Sequence, residues 1–513
     1  MSSQLSINAS IDHSDHHAPK FTSLSWLAIA LAVFITGFLI WHHYSADHGA
    51  TTGHHEGPPA GYVIPHMWSI IPFCVLLLSI ALLPLLKKTE HWWHSNLNRL
   101  GVAIGCAGLT ILYYWFLHPS FVYNHASHET FTGAGAVIHV LEHAILGEYI
   151  PFIVLLFALY TISGGISLKG DLAAHPATNT AFIAVGGALA SFIGTTGASM
   201  LLIRPLLQTN RERKHVRHTV IFFIFLVSNC GGLLLPIGDP PLFLGYLKGV
   251  PFLWTMHLWI EWLAVGIALL VIYFIWDTLA YRKETPTDVM RDETMVQPLR
   301  LKGKINLVYV IGVIFCVALV DHNKPFPGTN WHPFPFMREL LMLGFVALSL
   351  RTGPKQPRID NKFDYHAILE VAALFVGIFI CMQAPIEILN QKGPNLGLSQ
   401  PWQFFWATGG LSSFLDNAPT YVVFFETAKT LPYGDAETLT LLGGDHIMSS
   451  LLIAISLGAV FMGAMTYIGN APNFMVKSIA EQSGVKMPSF FGYMAYSCAV
   501  LVPLFLVVTL IFL

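Results

Sequence analysis

The chain has 513 residues, 54% of them apolar and only 11% charged, with a mean hydropathy of +0.59; a soluble domain carries about 25% charged residues. That composition cannot cover a water-facing surface, and no charged domain separates the apolar runs, so the chain reads as one polytopic membrane domain. The balance of 27 Lys and Arg against 29 Asp and Glu leaves no basic field to hold nucleic acid, and six cysteines within apolar stretches argue against a disulfide scaffold.

A crossing needs about 20 apolar residues, because every backbone polar group in hydrocarbon must be satisfied internally. On that measure eleven spans follow a polar tail over 1–21: 22–42, 65–86, 99–117, 136–168, 218–248, 256–280, 304–321, 335–350, 365–385, 447–476 and 490–513. The tail lacks a basic region and no small-residue cleavage site follows 22–42, so that span is expected to be a mature helix. Basic residues gather in four loops: Lys87, Lys88 and Arg99; Arg211 to Arg217; Arg282 to Lys304; and Arg351 to Lys362. All four fall on one side if the N-terminus is cytoplasmic, and the C-terminus is then outside.

Two further apolar stretches, 180–208 and 399–431, leave an odd crossing in that scheme. Each carries a polar or helix-breaking cluster at its midpoint, Gly194-Thr195-Thr196-Gly197 and Asp416-Asn417-Ala418-Pro419-Thr420. They are expected to be re-entrant hairpins whose tips line a transport path, the alternative being kinked ordinary helices. The sequence also repeats itself. Ser191-Phe192-Ile193 and Ser413-Phe414-Leu415 open the two tips, 222 residues apart. Ile237-Gly238-Asp239-Pro240-Pro241 in the fifth span matches Ile468-Gly469-Asn470-Ala471-Pro472 in the tenth, 231 residues apart. Since the hairpins enter from opposite sides, the halves are expected to be inverted repeats, a pointer to a transporter site near the midplane.

Pro lacks an N–H and clashes with the preceding turn, so neither motif can continue a helix. Asp239 and Asp416 then lie at membrane depth, where an ionised carboxylate costs at least a few kcal/mol unless paired, hydrated or metal-bound. A carboxylate that takes either Na⁺ or a proton couples the two ions; the alternative is a helix cap. Thr195, Thr196, Asn229, Asn417, Thr420, Asn470 and Asn473 stand on or beside the breaks as oxygen donors for a hard cation. They suggest two Na⁺ sites, one at Thr195, Asn229 and Asp239, the other at Asp416, Asn417 and Asn470. Glu370 and Glu148 are either proton relays or interfacial anchors. His139-Val140-Leu141-Glu142-His143 matches a zinc-peptidase string without the acidic partner that chemistry needs. The 24 histidines concentrate in the tail and in loops expected outside.

The Asn229-Cys230-Gly231-Gly232 to Pro241 segment, the Leu415 to Thr420 tip, and Ile468 to Asn473 with Ala480-Glu481-Gln482-Ser483-Gly484 together resemble the ion transporter superfamily. That group holds NhaD-type sodium/proton antiporters, citrate transporters, arsenite-pump membrane subunits and divalent-anion/sodium symporters. The resemblance implies an all-α homodimer with elevator-type alternating access and no cofactor, Na⁺ being cargo. In these terms residues 22–179 and 304–398 are scaffold helices, 180–280 and 399–513 are transport repeats, and 281–303 is a cytoplasmic loop. Carboxylate-transporting relatives carry a neutral Ser-Asn-Thr at each tip, whereas antiporter-like members carry Asp-Asn-x-Pro, as here. The expected function is Na⁺/H⁺ exchange across a bacterial inner membrane, the alternative being a Na⁺- or H⁺-coupled citrate or dicarboxylate symporter.

Overall fold

The computed structural model describes residues 36, 37, 39, 62–119, 122–124, 129–294, 296–322 and 324–513. Residues 1–49 and 50–513 are separate compact units. The tail and nearly all of the expected first span lie outside the described residues, as do most of the histidine-bearing loops. All that follows concerns the second unit.

Its principal helices are α1 (Ile71–Leu82), α2 (Asn96–Phe116), α3 (Ala134–Leu141), α4 (Ile150–Ser163), α5 (Pro176–Ile193), α6 (Thr195–Thr209), α7 (Arg217–Leu226), α8 (Pro240–Leu247) and α9 (Trp259–Tyr281). They continue as α10 (Ile305–Leu319), α11 (Met337–Thr352), α12 (His366–Cys381), α13 (Gln383–Lys392), α14 (Pro401–Ser412), α15 (Asn417–Lys429), α16 (Ser449–Met462), α17 (Ala471–Gln482) and α18 (Phe490–Phe512). A π-helical segment, Glu142–Tyr149, joins α3 to α4. Among the described residues the only strands are three two-stranded ribbons.

Among the described residues seven helices are long and apolar enough to cross a bilayer, or eight if α12 and the segment after it, bent by 42°, form one span. Of the eleven expected, 22–42 lies almost wholly outside the described residues, and others fall short for local reasons. The run at 136–168 does supply a span, Ala134–Ser163, after which Ser167–Asp171 pairs as a strand with Gln297–Lys302. Helix α10 has 15 residues and α11 has 16, short of a full crossing. The run at 447–476 is split, so neither α16 nor α17 spans alone.

The stretches at 180–208 and 399–431 each fold back on themselves. Gly194, at φ 77°, turns the chain between α5 and α6, a conformation that glycine adopts without a Cβ penalty. A Cβ on Gly186 of α5 would touch Leu202 of α6 at 3.0 Å, as antiparallel arms require. In the second stretch Phe404 of α14 meets Phe424 of α15 edge-on at 6.2 Å. Although α5 alone has the 18 residues of a minimal span, the reversal at Gly194 returns the chain to the end it came from.

The basic loops share one end of the bundle. Arg99 pairs with Glu370 at 2.9 Å, Lys169 with Asp360 at 2.8 Å and Lys214 with Asp288 at 2.7 Å. In those last two pairs the lysine holds the carboxyl below the usual carboxylate range. At the other end Leu442 N–H donates to the Gly249 carbonyl at 2.9 Å and Lys429 pairs with Asp445 at 2.8 Å. Burial separates the helices further. The segment Arg217–Leu234 is 89% buried and runs through the middle, while Trp254–Tyr281 is 22% buried and turns most of its surface outward.

Candidate functional site

Two helices stop midway. After α7 the chain makes a short 3-10 turn, Cys230–Leu234, then leaves helical geometry until Asp239 and resumes as α8; after α16 it makes another, Gly463–Met465, then leaves helical geometry until Asn470 and resumes as α17. Proline within the first two positions of α8 and of α17 explains both restarts: its fixed φ suits a helix start and its missing N–H would be unpaired there anyway. Asp239 and Asn470 are the N-cap residues, with nearly the same extended backbone, φ −144°, ψ 142° and φ −152°, ψ 141°.

The same small contacts recur around both breaks. The hydroxyl of Ser191 donates to the Gly231 carbonyl at 2.5 Å, and that of Ser413 donates to the Met462 carbonyl at 3.2 Å. A Cβ on Gly238 would collide with the Gly232 carbonyl, and one on Gly469 with the Gly463 carbonyl. Glycine is therefore required at both positions by close backbone approach. The tip residues at the start of α6 and α15 reach the same carboxylate.

That carboxylate is Asp239, 1% exposed. Its Oδ1 accepts from Thr195 Oγ1 at 3.0 Å and from Asn470 Nδ2 at 2.9 Å, and its Oδ2 accepts from Asn417 Nδ2 at 2.7 Å. Hydrogen bonds to an ionised acceptor are roughly twice as strong as neutral ones, so three of them offset much of the desolvation cost. Thr195 N–H also donates to the Gly238 carbonyl at 2.9 Å, which ties the first tip to the first break. Asn470 Nδ2 also donates to the Ser228 carbonyl at 3.1 Å.

Beside this core, Asn229 Nδ2 donates to Asn473 Oδ1 at 2.7 Å, and Asn473 Nδ2 donates to the carbonyls of Gly463 and Thr466, both at 2.9 Å. Asn473 thus braces the second break. Two buried amide oxygens, Asn229 Oδ1 and Asn417 Oδ1, have no hydrogen-bond partner among the described residues. The two amide groups both border Gly463, whose absent Cβ would lie 3.0 Å from Asn229 Oδ1 and 3.5 Å from Asn417 Nδ2.

Not every residue singled out in the sequence joins this cluster directly. Asp416 is half-buried and its Oδ1 accepts from Ala418 N–H at 3.0 Å, the geometry of an N-cap on α15. Thr420 donates to the Asp416 carbonyl at 2.9 Å within the same turn, and Thr196 is half-buried in the first turn of α6. The two ligand sets separated in the sequence are joined in space, because Asn417 and Asn470 from one set both bond Asp239 of the other. Glu370 is engaged by Arg99. Among the described residues no group of three His, Cys, Asp or Glu could hold a metal ion, the 139–143 string included.

Glu148 belongs to a second, charged cluster toward the opposite end. Lys248 Nζ lies 2.6 Å from Glu148 Oε1 and 3.1 Å from Glu426 Oε1, and Gln383 Nε2 donates to Glu148 Oε2 at 3.3 Å. Neither Lys248 nor Glu426 was singled out from the sequence. A signal was present, since Glu426 interrupts the apolar Tyr421–Phe425 run and an acid at membrane depth calls for a partner.

Residues 63–513 match the family described as "Putative citrate transport". The chain is also 25% identical over 312 residues to uncharacterized transporters of Mycobacterium bovis and Mycobacterium tuberculosis, an alignment covering 58% of this chain and 68% of each relative. With the match running through both broken helices and both hairpins, this multi-pass membrane chain belongs to the citrate-transport family, a family of the ion transporter type that its motifs resemble.

Proposed function

We propose that the protein is a Na⁺/H⁺ antiporter in which Asp239 alternately holds a sodium ion and a proton. The observation that carries this reading is the donor set at the breaks: one buried carboxylate, with two amide oxygens lacking partners beside it. Hard oxygen donors suit Na⁺, and no Lys, Arg or His is among the residues bonded to Asp239. An ionised Asp239 attracts the cation and a protonated one does not, so the two cargoes exclude each other. Asn229, Asn417, Asn470 and Thr195 supply neutral ligands, and Asn473 holds Asn229 in place.

The recurrence of the same bonds 222 and 231 residues apart supports an inverted duplication. In this reading the hairpins and broken helices move as one transport body against a scaffold built on α2 and α12, in elevator fashion. The basic-loop end faces the cytoplasm of a bacterial cell, and two copies form a dimer.

The family's description supports a second reading, coupled citrate uptake. Helices α8 and α17 start at the breaks and α6 and α15 at the hairpin tips that reach them, and such N-terminal ends attract anions. An ionised Asp239 would repel a multiply charged carboxylate in a low-dielectric site, so this reading requires the acid to be neutralised first. Proteoliposomes carrying a pH-sensitive dye inside decide between the two. Antiport predicts lumenal pH changes on adding Na⁺ without citrate, and symport predicts labelled citrate accumulation that depends on Na⁺ or on a pH gradient.

A further inference from the structure

At the end where the basic loops gather, the connection between α6 and α7 and the last turns of α9 enclose a cleft of about 670 Å³. Its rim is basic, formed by Lys214, His215, Arg217 and Lys283. Its wall is apolar, with Ile275 and Leu279 from α9 beside the rings of Trp276 and Tyr496, whose centroids are 6.0 Å apart. Two of the four basic groups already have partners: Lys214 pairs with Asp288 at 2.7 Å and His215 Nδ1 with Glu284 at 3.2 Å. Arg217 uses its Nε on the Lys486 carbonyl at 2.8 Å, which leaves its terminal nitrogens available. Arg217 and Lys283 are both exposed and, among the described residues, neither is in an ion pair.

The rim is held from below. Arg213 and Asp277 are buried and joined by two hydrogen bonds of 2.7 and 3.1 Å, and His218 Nε2 meets the same carboxylate at 2.8 Å. The loop bearing Lys214 and Arg217 is thus anchored to α9 and offers its charges in a fixed arrangement. The wall opens outward: Ile275 is 56% exposed and Leu279 53% exposed, on a helix whose outer surface faces the bilayer.

We propose that this cleft binds an anionic phospholipid of the leaflet on the basic-loop side, its phosphate on Arg217 and Lys283 and an acyl chain along Ile275 and Leu279. Charge complementarity at the rim and an apolar wall continuous with the lipid-facing side of α9 both favour that occupant, as basic pockets between membrane helices do in general. The volume lies within the range of about 300–1,000 Å³ usual for small-molecule sites. A free phosphate would use the rim alone and leave the wall bare. The inference does not depend on which cargo the transporter carries.

The test uses the full-length protein, purified in detergent and offered phosphatidylglycerol, phosphatidylcholine or inorganic phosphate, with bound lipid counted by native mass spectrometry and thermal unfolding followed in parallel. Phosphatidylglycerol is expected to be retained and to raise the unfolding temperature more than phosphatidylcholine, while inorganic phosphate does neither. The double variant R217Q/K283Q should weaken phosphatidylglycerol binding about tenfold or more and leave phosphatidylcholine binding unchanged. The exposed pair R300Q/K302Q removes the same charge at the same end away from the cleft and should bind like the wild type. Equal binding of the two lipids, an equal effect of phosphate, undiminished binding by R217Q/K283Q, or an equal loss in R300Q/K302Q would each overturn the proposal.

Discussion

Asp239 and Asn470 start the second halves of the two broken helices with nearly the same backbone, a proline in the first two helical positions and a preceding glycine packed against an equivalent glycine carbonyl. They differ in charge. A second difference lies at the hairpin tips, where Thr195 and Asn417 both donate to Asp239 and, among the described residues, no tip side chain donates to Asn470. The near-symmetric frame thus surrounds an asymmetric site. The recurring backbone geometry opens the hydrogen-bonded ladder at two places, and of the two caps only Asp239 carries an acid.

The sharpest way to break this comparison is to make the two positions alike. Asp239→Asn removes a charge worth roughly 4 kcal/mol to a cation at contact in a site of intermediate dielectric, so Na⁺-coupled proton flux should fall about 100-fold or more in reconstituted vesicles. Moving the charge instead of deleting it sharpens the point. The exchange Asp239→Asn with Asn470→Asp should recover measurable flux, about a tenth of wild type, if the two caps are interchangeable in geometry; recovery no better than the single variant would show that the tip donors fix the position. Asn417→Ala deletes one charge-assisted bond to Asp239, about 1.5–3 kcal/mol, and should raise the Na⁺ concentration for half-maximal flux about tenfold with the fold intact by circular dichroism.

The smallest effect is expected at the other acid. Asp416 caps α15, and Asn is about as good a cap as Asp, so Asp416→Asn should change flux no more than about threefold; a loss matching that of Asp239→Asn would place Asp416 in the site itself. If only the ionised Asp239 binds the cation, apparent Na⁺ affinity should also rise with pH in the wild type, and that dependence should be absent from any residual flux of Asp239→Asn.

Much of the frame is legible in the sequence because local chemistry dictates it. Gly-Asp-Pro-Pro and Gly-Asn-Ala-Pro stop helices wherever they occur, and the tips at Gly194 and Asp416 announce reversals through glycine, proline and a capping acid. What joins these pieces is tertiary. No spacing along the chain says that Asn417 and Asn470, 178 and 231 residues from Asp239, reach the same carboxylate. For the same reason Asp416 and Asp239 look alike in sequence, both being N-cap residues, and only the fold gives the side chain of one a bond to its own helix and that of the other three side-chain donors. Hydropathy also overran the helices at 136–168 and 447–476, since an apolar run records solvent preference and not where hydrogen bonding ends. Lys248, which joins Glu148 to Glu426, sits just after α8 and gives no local sign of its two distant partners.

The central claim is that Asp239 couples a cation to a proton. Its most direct test is Na⁺-induced pH change in citrate-free proteoliposomes, wild type beside Asp239→Asn at matched incorporation. The account predicts a Na⁺-dependent change in the wild type and none above empty liposomes in the variant. Wild-type vesicles that stay silent to Na⁺ but accumulate labelled citrate, or a variant that exchanges as fast as the wild type, would contradict it.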